Sequence, residues 1–366
     1  MNIQSRKIHL LIATHTLGLA AAAAVAAPQP FADAVLADEP VLYYRLSEVA
    51  GDTQNLGSLG ASFDGAIFGP TQRNIATAGG DGGVHFDDSN AFIESNAVVP
   101  ASLLGNPDFT AETLVRIPAG AQAQFWPPFL HWGAPTTGQS VYFSLQFNTN
   151  NRIYAGFYNA GLMMSELVCY DTWLHVVWVR DSAEGTNDSE AGTVVYVNGT
   201  AVPLVRDPTL NPGFVANPTV TATTFRINRA TDNVRYATID MDELVLYDRP
   251  LAPAEVAEHW VAFADNVGDT DGDGVSDAVD NCVAVANADQ RDSNADGFGN
   301  ACDPDLNDDD VINFTDLGLM KSVFFSDDPD ADLNGDGAVN FADLGTMKSA
   351  FFGNPGPSGT RSICGL

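Results

Sequence analysis

The stretch TIDMDELVLYDRPLAPAEVAEHWVAF (238–263) contains the last strand and the helix that we expect in the large N-terminal region. Its first ten residues carry β-branched and aromatic side chains, which favours a strand over Thr238–Tyr247. Pro253 suits the first turn of a helix. Three apolar residues then fall on one helical face at i, i+4 and i+7: Val256, Trp260 and Phe263. The pattern predicts a strand followed by a single short helix.

Short runs of aromatic and β-branched residues also recur upstream, between turn signals. The predicted strands are Val41–Leu46, Phe109–Ile117, Val141–Phe147, Arg152–Tyr158, Trp173–Arg180 and Thr193–Val197. The last of them enters Asn198-Gly199, a dipeptide that tolerates the positive φ angles of a tight hairpin. About 230 residues of short strands with almost no helix fit one two-sheet sandwich. We therefore expect a mainly β fold over 31–263.

Five segments of this region resemble the laminin G-like, concanavalin A-like jelly-roll domains of secreted bacterial proteins. They are AVLADEPVLYYRLSE (34–48), GGVHFDDSNAFIES (82–95), WLHVVWVRD (173–181), VVYVNGT (194–200) and IDMDELVLYDRPLAPAEVAEHW (239–260). The resemblance implies a concanavalin A-like jelly-roll sandwich. It specifies function only weakly, because this fold carries lectins, adhesion modules and hydrolases alike.

The acidic residues of this region do not have the spacing of a catalytic pair. A glycosidase needs two carboxylates that flank the scissile bond, and laminarinase-type members of this fold place theirs as Glu-x-Asp-x-x-Glu. The sequence lacks that string, and we interpret Asp240-Met-Asp242-Glu243 as a rim or structural site. His175 lies in an apolar strand and is expected to be a hydrogen-bonded packing residue. We expect no catalysis by this chain.

The aromatic run Phe125-Trp126-Pro127-Pro128-Phe129, with Trp132 after it, allows two interpretations. It could form a platform on which sugar rings stack. Aromatic side chains more often fill cores and strand edges, and this is the interpretation that we favour.

The charge of the chain is strongly negative, with 47 acidic against 16 basic residues and a net charge of −31. Such acidity argues against nucleic acid as a partner, since a nucleic-acid binder needs a basic surface. Residues 265–352 hold 21 of the acids and three bases, and every acid there is Asp. A short carboxylate side chain suits tight loops that close around a cation.

Four segments of this acidic region fit a twelve-residue calcium loop, with Asp at position 1, Asp or Asn at 3, Asp at 5 and a carboxylate at 12. The predicted ligands are Asp269, Asp271, Asp273 and Asp280 in loop one; Asp292, Asn294, Asp296 and Asp303 in loop two; Asp305, Asn307, Asp309 and Asp316 in loop three; and Asp332, Asn334, Asp336 and Asp343 in loop four. Oxygen ligands suit Ca²⁺, whereas Zn²⁺ would want His or Cys. Position 6 must turn sharply; it is glycine in three loops and Asp310 in loop three, which we expect to be the weakest site.

Loops one and two, within 269–303, resemble a thrombospondin type 3 repeat. The resemblance rests on Asp280-Asn281-Cys282, Asn287, Gln290 and Ala301-Cys302-Asp303, with Val283 where that family usually has proline. Cys282 and Cys302 flank one acidic loop and are the expected disulfide, which would stabilise a loop of this size by about 3 kcal/mol. Cys169 and Cys364 could pair with each other, cross-link to another chain or stay free.

Loops three and four belong to a 27-residue repeat, DLNDDDVINFTDLGLMKSVFF (305–325) and DLNGDGAVNFADLGTMKSAFF (332–352), identical at 14 of 21 positions. Each loop leads into a short amphipathic helix, and the apolar faces of the two helices must pack on each other. Over 304–353 the pair resembles a type I dockerin, with Lys321 and Lys348 in the usual basic position. This implies a cohesin-like partner, although Phe314-Thr315 and Phe341-Ala342 replace the Ser-Thr that cellulosomal dockerins often carry.

The N-terminus has the pattern of a secretory signal peptide over residues 1–27. Arg6 and Lys7 precede the apolar stretch Ile8–Leu19 and an alanine run. We expect cleavage near residue 27, no membrane span in the mature chain, and a protein that is secreted to the extracellular space or the cell surface. The Gly/Pro/Ser-rich segment 354–366 is expected to be a flexible tail.

Together these features predict a secreted calcium-binding, non-catalytic binding or adhesion protein. Its sandwich would bind carbohydrate or an extracellular protein, and its C-terminal loops would form a stalk and docking module. The alternative is a component of a polysaccharide-degrading, cellulosome-like system, which the dockerin resemblance favours. A third interpretation is a structural or cell-surface adhesion protein without a sugar ligand.

Overall fold

Two eight-stranded antiparallel sheets, one two-stranded sheet and four short α-helices are the regular elements in the part of the chain that the structure describes. This computed structural model describes residues 30–360 and 363–364 except 78–80, 88–89, 122–125, 147–151, 166, 169, 185–188, 211–212 and 265–267. The predicted signal peptide lies outside the described residues. The helices are α1 Pro30–Ala37, α2 Pro253–Ala264, α3 Phe314–Ser322 and α4 Phe341–Ala350.

The strands are short and follow one another closely along the chain. They are β1 Leu42–Tyr44, β2 Gly65–Phe68, β3 Thr71–Ile75, β4 Gly83–Phe86, β5 Phe92–Val98, β6 Phe109–Arg116, β7 Pro128–Gly133, β8 Ser140–Gln146, β9 Arg152–Phe157, β10 Ala160–Met164, β11 Leu167–Val168, β12 Trp173–Arg180, β13 Thr193–Val197, β14 Thr200–Ala201, β15 Leu204–Arg206, β16 Thr224–Ile227, β17 Ile239–Tyr247 and β18 Ile363–Cys364. All seven strands predicted from the sequence are present, with bounds that differ by a few residues at most.

The strands form a two-layer sandwich, as predicted. Sheet A has the order β14-β13-β12-β6-β17-β4-β3, with β1 paired on β17. Sheet B has the order β15-β10-β9-β8-β7-β16-β5-β2. Alternate residues of each strand face the core between the sheets, such as Val141, Phe143 and Leu145 of β8. The mainly β, concanavalin A-like jelly-roll fold is confirmed.

Helices α1 and α2 cover the outer face of sheet A. Phe31 and Val35 of α1 and Val256 and Phe263 of α2 are buried in one apolar cluster with side chains of that face. Helix α2 begins at the predicted Pro253. Helix α1 was not predicted, because its eight residues are too few to show a helical period against the preceding apolar sequence.

A buried ion-pair network fixes α2 to sheet A. Nδ1 of His259 lies 3.0 Å from Oε2 of Glu112, and its Nε2 lies 3.1 Å from Oδ2 of Asp38. His175 Nε2 lies 2.6 Å from Oε1 of the same Glu112. His175 is fully buried, which confirms its role as a hydrogen-bonded packing residue.

The C-terminal repeat pair has its own small core. Met320 of α3 and Met347 of α4 are fully buried in one cluster, together with Ile312 and Val339 from position 8 of loops three and four. The same pair of backbone hydrogen bonds occurs in both repeats. The backbone of Val339 is hydrogen-bonded to the segment after α3, and the backbone of Ile312 is hydrogen-bonded to the segment after α4, with donor–acceptor distances of 2.8–3.0 Å. Each loop is thereby tied to the end of the other unit's helix.

The segment 354–360, expected to be a flexible tail, is instead bonded to the acidic loops. The Gly359 N–H donates to the Asp280 carbonyl at 2.8 Å, and the Gly356 N–H donates to the Cys302 carbonyl at 3.1 Å. Such close approach needs glycine, since a β-carbon at Gly359 would overlap the carbonyl oxygen of Asp277. Strand β18 then pairs with β11 and returns the chain to the sandwich, unlike a stalk that leads away from it.

Of the two remaining cysteines, Cys169 lies outside the described residues, and the side chain of Cys364 is not described either. The partners of both cysteines therefore stay a prediction. Among the described residues, no helix is long and apolar enough to cross a membrane.

Candidate functional site

The four predicted calcium loops share one backbone arrangement. The position-1 aspartate accepts backbone N–H groups from positions 4 to 6, for example Asp269 from Gly272 at 2.8 Å and from Gly274 at 2.9 Å. The position-5 aspartate accepts the position-7 N–H in every loop, at 2.8–3.1 Å. The carboxylates thus fold each loop backbone around themselves.

Positions 4 and 6 have a positive φ in all four loops. The φ angles are 77° and 93° at Gly272 and Gly274, 62° and 93° at Ala295 and Gly297, 56° and 63° at Asp308 and Asp310, and 75° and 87° at Gly335 and Gly337. Loop three therefore has the expected turn at position 6. Asp308 and Asp310 occupy its two positions of positive φ, where glycine would be free of strain.

The first loop brings three of its predicted ligands close together. Oxygens of Asp269, Asp271 and Asp273 all lie within 4.8 Å of one another. Two oxygens at about 2.4 Å from one Ca²⁺ ion are separated by no more than this. Oδ2 of Asp271 is buried and has no hydrogen-bond partner among the described residues. The loop can thus supply a converging set of oxygen ligands.

In each loop, the position-12 aspartate is the most buried of the four predicted ligands. Asp280, Asp316 and Asp343 are 0% exposed and Asp303 is 6% exposed. Within the described part of the chain, Oδ2 of Asp280 and Oδ1 of Asp316 have no hydrogen-bond partner. Burial and the neighbouring Asp296 raise the pKa of Asp303 to about 8. A buried carboxylate without a partner is costly, and a bound cation would remove that cost.

The surroundings of the position-12 residues hold them in place. Asp316 and Asp343 are the third residues of α3 and α4, where each completes a capping box with Asn313 or Asn340. Asp280 is held differently: its Oδ1 accepts hydrogen bonds from the Cys282 N–H and from Gln290 Nε2, both at 2.8 Å. The predicted disulfide between Cys282 and Cys302 is confirmed, and it connects the ends of loops one and two.

The predicted aromatic platform is divided between the core and a surface pocket. Phe129 and Trp132 are fully buried in the core, as favoured from the sequence, and Phe125 lies outside the described residues. Trp126 is half-buried and lines a pocket on the outer face of sheet B, with Tyr142, Tyr154, Phe157, Tyr158, Asn159, Leu210 and Arg235. Among the described residues of the aromatic run, Trp126 is therefore the one that a ligand in this pocket can contact.

Arg235 is one of the residues that line this pocket. Its guanidinium lies 5.3 Å from the ring centroid of Trp126 and 5.9 Å from that of Tyr158, and it pairs with Asp232 at 2.7 Å. The pocket is partly open, and its volume is about 30 Å³. Typical ligand pockets have about 300–1,000 Å³, so a larger ligand would lie across the rim and place only a substituent inside.

In the acidic strand predicted as a structural site, Asp240 and Glu243 are held in ion pairs. Asp240 is 2% exposed, with His85 Nδ1 at 2.6 Å from Oδ1 and Arg116 Nε donating to Oδ2 at 2.7 Å. Asp242 and Glu243 lie beside Asp81, a neighbour that the sequence analysis missed. Burial raises the pKa of Asp242 well above its usual range, and burial raises the pKa of Glu243 to about 8, against the effect of Arg45.

One family model matches one part of the chain. Residues 88–257 match the concanavalin A-like lectin/glucanases superfamily, in its Laminin_G_3 family. The match supports a laminin G-like, concanavalin A-like domain at these residues. The thrombospondin type 3 and dockerin resemblances stay predictions. No curated protein matches this chain in sequence.

Several solved structures are similar to the laminin G-like domain at low identity. They include the binding domain of Paraclostridial mosquitocidal protein 1, at 12% identity and a TM-score of 0.43 over 64% of this chain and 54% of that chain. The botulinum neurotoxin type G receptor binding domain has 13% identity and a TM-score of 0.40 over 62% and 52%. A Trypanosoma rangeli sialidase has 16% identity and a TM-score of 0.42 over 63% and 34%. The chain thus spans about half of the first two and a third of the sialidase, and such values leave its ligand undefined.

Proposed function

We propose that the chain is a secreted, calcium-binding and non-catalytic binding protein. Its laminin G-like domain binds carbohydrate or an extracellular protein. Its four acidic loops hold Ca²⁺, which fixes the structure of the C-terminal region against that domain.

The observation that carries the calcium proposal is the buried, unpartnered oxygen of Asp280 and of Asp316. Asp280 stands at position 12 of loop one, whose other three carboxylates converge, and Asp316 stands at position 12 of loop three. Bound Ca²⁺ would supply positive charge to a region with 21 acids and three bases. The ligands would be the sixteen predicted Asp and Asn side chains, and the neutralised loops would hold α3 and α4 in their packed arrangement.

Calorimetric titration of the full chain with Ca²⁺ tests this part of the proposal. We expect several tight sites per chain and an Mg²⁺ response that is much weaker, because Mg²⁺ gives up its water reluctantly. A chain that binds no Ca²⁺ at millimolar concentration would contradict the proposal.

The rim of Trp126 and Arg235 is the site that we assign to the ligand of the sandwich. An indole face next to a guanidinium and the Asn159 amide combines an apolar surface with a few polar groups, the usual composition of a binding pocket. Carbohydrates suit such a surface, because one face of a sugar ring is apolar and its edge is polar. The ion pairs of Asp240 with His85 and Arg116 support a structural rather than a catalytic role for the acidic strand.

A polysaccharide and glycoprotein array probed with the full chain tests the ligand assignment. We expect binding that Trp126→Ala reduces at least tenfold and that Tyr170→Ala leaves unchanged, since Tyr170 is an exposed aromatic residue outside the pocket. If Trp126→Ala binds as strongly as the wild type, the ligand does not bind at this rim. Release of reducing sugar by the intact chain would contradict the non-catalytic assignment.

The repeat pair exposes aromatic side chains that suit a docking role. Phe314 and Phe341, at the dockerin-like reading positions, are 70% and 71% exposed. Each contacts the phenylalanine pair that follows the other helix, with ring centroids 5.1–6.2 Å apart. Exposed apolar clusters of this kind commonly mark protein interfaces. Cohesin binding that is lost in a Phe314→Ala, Phe341→Ala double variant would favour the polysaccharide-degrading alternative.

A further inference from the structure

A groove of about 330 Å³ lies in the acidic region, between loop four and the segment that precedes loop two. Residues of the segment 285–291 line one side, and Leu333–Gly335 of loop four with Thr346 of α4 line the other. Ligand pockets usually have about 300–1,000 Å³, and the groove falls within that range, whereas the pocket of Trp126 has about 30 Å³. The groove is thus large enough for a ligand and separate from the rim of Trp126.

Hydrogen bonds between the two sides hold the groove in place. The Pro329 carbonyl, which precedes loop four, accepts from Arg291 Nη1 at 3.3 Å, from Ser293 Oγ at 3.2 Å and from Asn300 Nδ2 at 2.6 Å. Arg291 also donates to the Asp332 carbonyl. A site whose walls are already fixed loses little conformational entropy when a ligand binds.

The turn that forms the first side is fixed by its own contacts. The Val285 N–H donates at 2.8 Å to the carbonyl of Cys282, which belongs to the disulfide. The Asn287 N–H donates at 2.6 Å to Oδ2 of Asp273, at position 5 of loop one. The groove is therefore bounded by a turn that loop one and the disulfide hold, and by loop four itself.

Apolar side chains and one free carboxylate line the groove. Val285 is 41% exposed, and Ala286, Ala301 and Leu333 add further apolar groups. The carboxylate of Asp289 is exposed and makes no hydrogen bond or ion pair with the described residues. A ligand in this groove thus meets both apolar surface and an uncompensated negative charge.

The charges around the groove favour a basic ligand. Arg291 is the one base among the residues that line it, and its guanidinium lies 3.7 Å from Oδ2 of Asp332. The region 265–352 has 21 acids and three bases, so its charge stays negative even with four Ca²⁺ ions bound. Such a field attracts cations and repels anions. Acidic ligands are therefore disfavoured.

We propose that this groove binds an extended segment of a partner protein that carries lysine or arginine next to an apolar residue. The basic side chain pairs with Asp289, and the apolar side chain contacts Val285 and Ala286. The hydroxyl of Thr346 on the opposite side bonds to the backbone of the segment. The chain thereby has a second binding site, independent of the rim of Trp126.

Selection from a phage-displayed library of random heptapeptides tests this proposal on the full chain in the presence of Ca²⁺. We expect enriched peptides in which lysine or arginine adjoins an apolar residue. Fluorescence polarisation then measures the binding of the corresponding synthetic peptides. Ala286→Trp fills the groove and should abolish binding, and Asp289→Asn should weaken it about tenfold, because one charge-assisted contact is lost.

Two matched controls separate the groove from general effects. Ala288→Trp adds the same side chain at an exposed position of the same turn, and Asp327→Asn removes an exposed carboxylate outside the groove. Both variants should bind the peptides as the wild type does. Hydrogen exchange in α4 checks that each variant is folded.

Three results would overturn the proposal. They are the enrichment of no peptide or of peptides without a base, wild-type binding by Ala286→Trp, and an equal loss in Asp289→Asn and Asp327→Asn. Glycan binding on the array that Ala286→Trp abolishes and Trp126→Ala does not would overturn it as well, because the groove would then take carbohydrate. The rim is tested by the array and the groove by the peptides, so each proposal fails separately.

Discussion

The sandwich and the acidic C-terminal region organise charge in opposite ways. The sandwich has a large apolar core in which Trp132, Trp178 and Phe143 are fully buried, and a buried charge such as Glu112 appears there with its own partners. In the repeat pair, the apolar cluster has six buried residues, while carboxylates shape the loop backbone. The sandwich thus depends on the removal of apolar surface from water, whereas we propose that the acidic region depends in addition on the neutralisation of like charges.

The sharpest test of this difference is the removal of Ca²⁺ with a chelator. We expect residues 269–352 to lose most of their protection from hydrogen exchange, because their unscreened carboxylates repel one another. The sandwich should keep its tryptophan fluorescence, since all five tryptophans lie at 126–260 within its apolar structure. Unchanged exchange in the loops after chelation would show that the C-terminal region folds by its small core alone.

The next largest effect should come from a change to the buried charge of the sandwich. His259→Gln leaves Glu112 buried with His175 as its remaining imidazole partner. Loss of one member of a buried pair costs about 3 kcal/mol or more, so the unfolding free energy should fall by that amount. Urea unfolding followed by tryptophan fluorescence measures it. Glu258→Gln, on the exposed face of the same helix, should change little.

The same network predicts the pH dependence of the sandwich. Burial alone would lower the pKa of His259, but Glu112 and Asp38 raise it from 6.5 to about 9. Its stabilisation is therefore complete below pH 6.5 and is lost as the pH rises through about 9. Burial alone would raise the pKa of Glu112, but His259 and His175 lower it from 4.5 to about 2. That contribution is lost only as the pH falls through about 2. Wild-type alkaline destabilisation that persists in His259→Gln would contradict this assignment.

A smaller effect is expected when one ligand of the acidic region is removed. Asp336 stands at position 5 of loop four, and its Oδ1 accepts the Ala338 N–H at 3.1 Å. Asp336→Ala should remove one Ca²⁺ per chain and loosen the packing of Phe351, which belongs to the same small cluster. Calorimetric stoichiometry and hydrogen exchange in α4 measure both results.

The control for that variant is Asp289→Ala, which removes an exposed carboxylate of the same region from outside the ligand positions. It should bind as many ions as the wild type. Equal stoichiometry in Asp336→Ala would mean that loop four is not a calcium loop, and equal losses in both variants would mean that only net charge matters.

Local patterns explain what could be predicted from the sequence. The alternation of apolar residues in β8 and β12 identified strands, and the fixed spacing of carboxylates identified loops whose backbone is indeed alike. The disulfide of Cys282 and Cys302 followed from its position beside one loop. In each case the deciding interaction lies within about twenty residues of sequence.

Long-range contacts and backbone packing could not be predicted from local patterns of the sequence. Asp81 meets Asp242, and Glu112 meets His259 across 147 positions, and nothing in the local sequence marks either pair. The segment 354–360 looked flexible because it has few apolar side chains. Its order comes from backbone hydrogen bonds, which glycine allows but composition does not reveal.

The smallest predicted effect concerns the difference between loops three and four, which differ mainly in the residues at their turns. Asp310 has a φ of 63°, whereas Gly337 has a φ of 87° at the same position of loop four. A left-handed conformation costs a residue with a β-carbon about 1 kcal/mol, so Asp310→Gly should tighten the third site by about fivefold. Asp310→Ala separates the causes, because it removes the charge and keeps the β-carbon. A gain with Gly and none with Ala would show that the backbone limits this loop, whereas equal gains would assign the weakness to repulsion among the carboxylates.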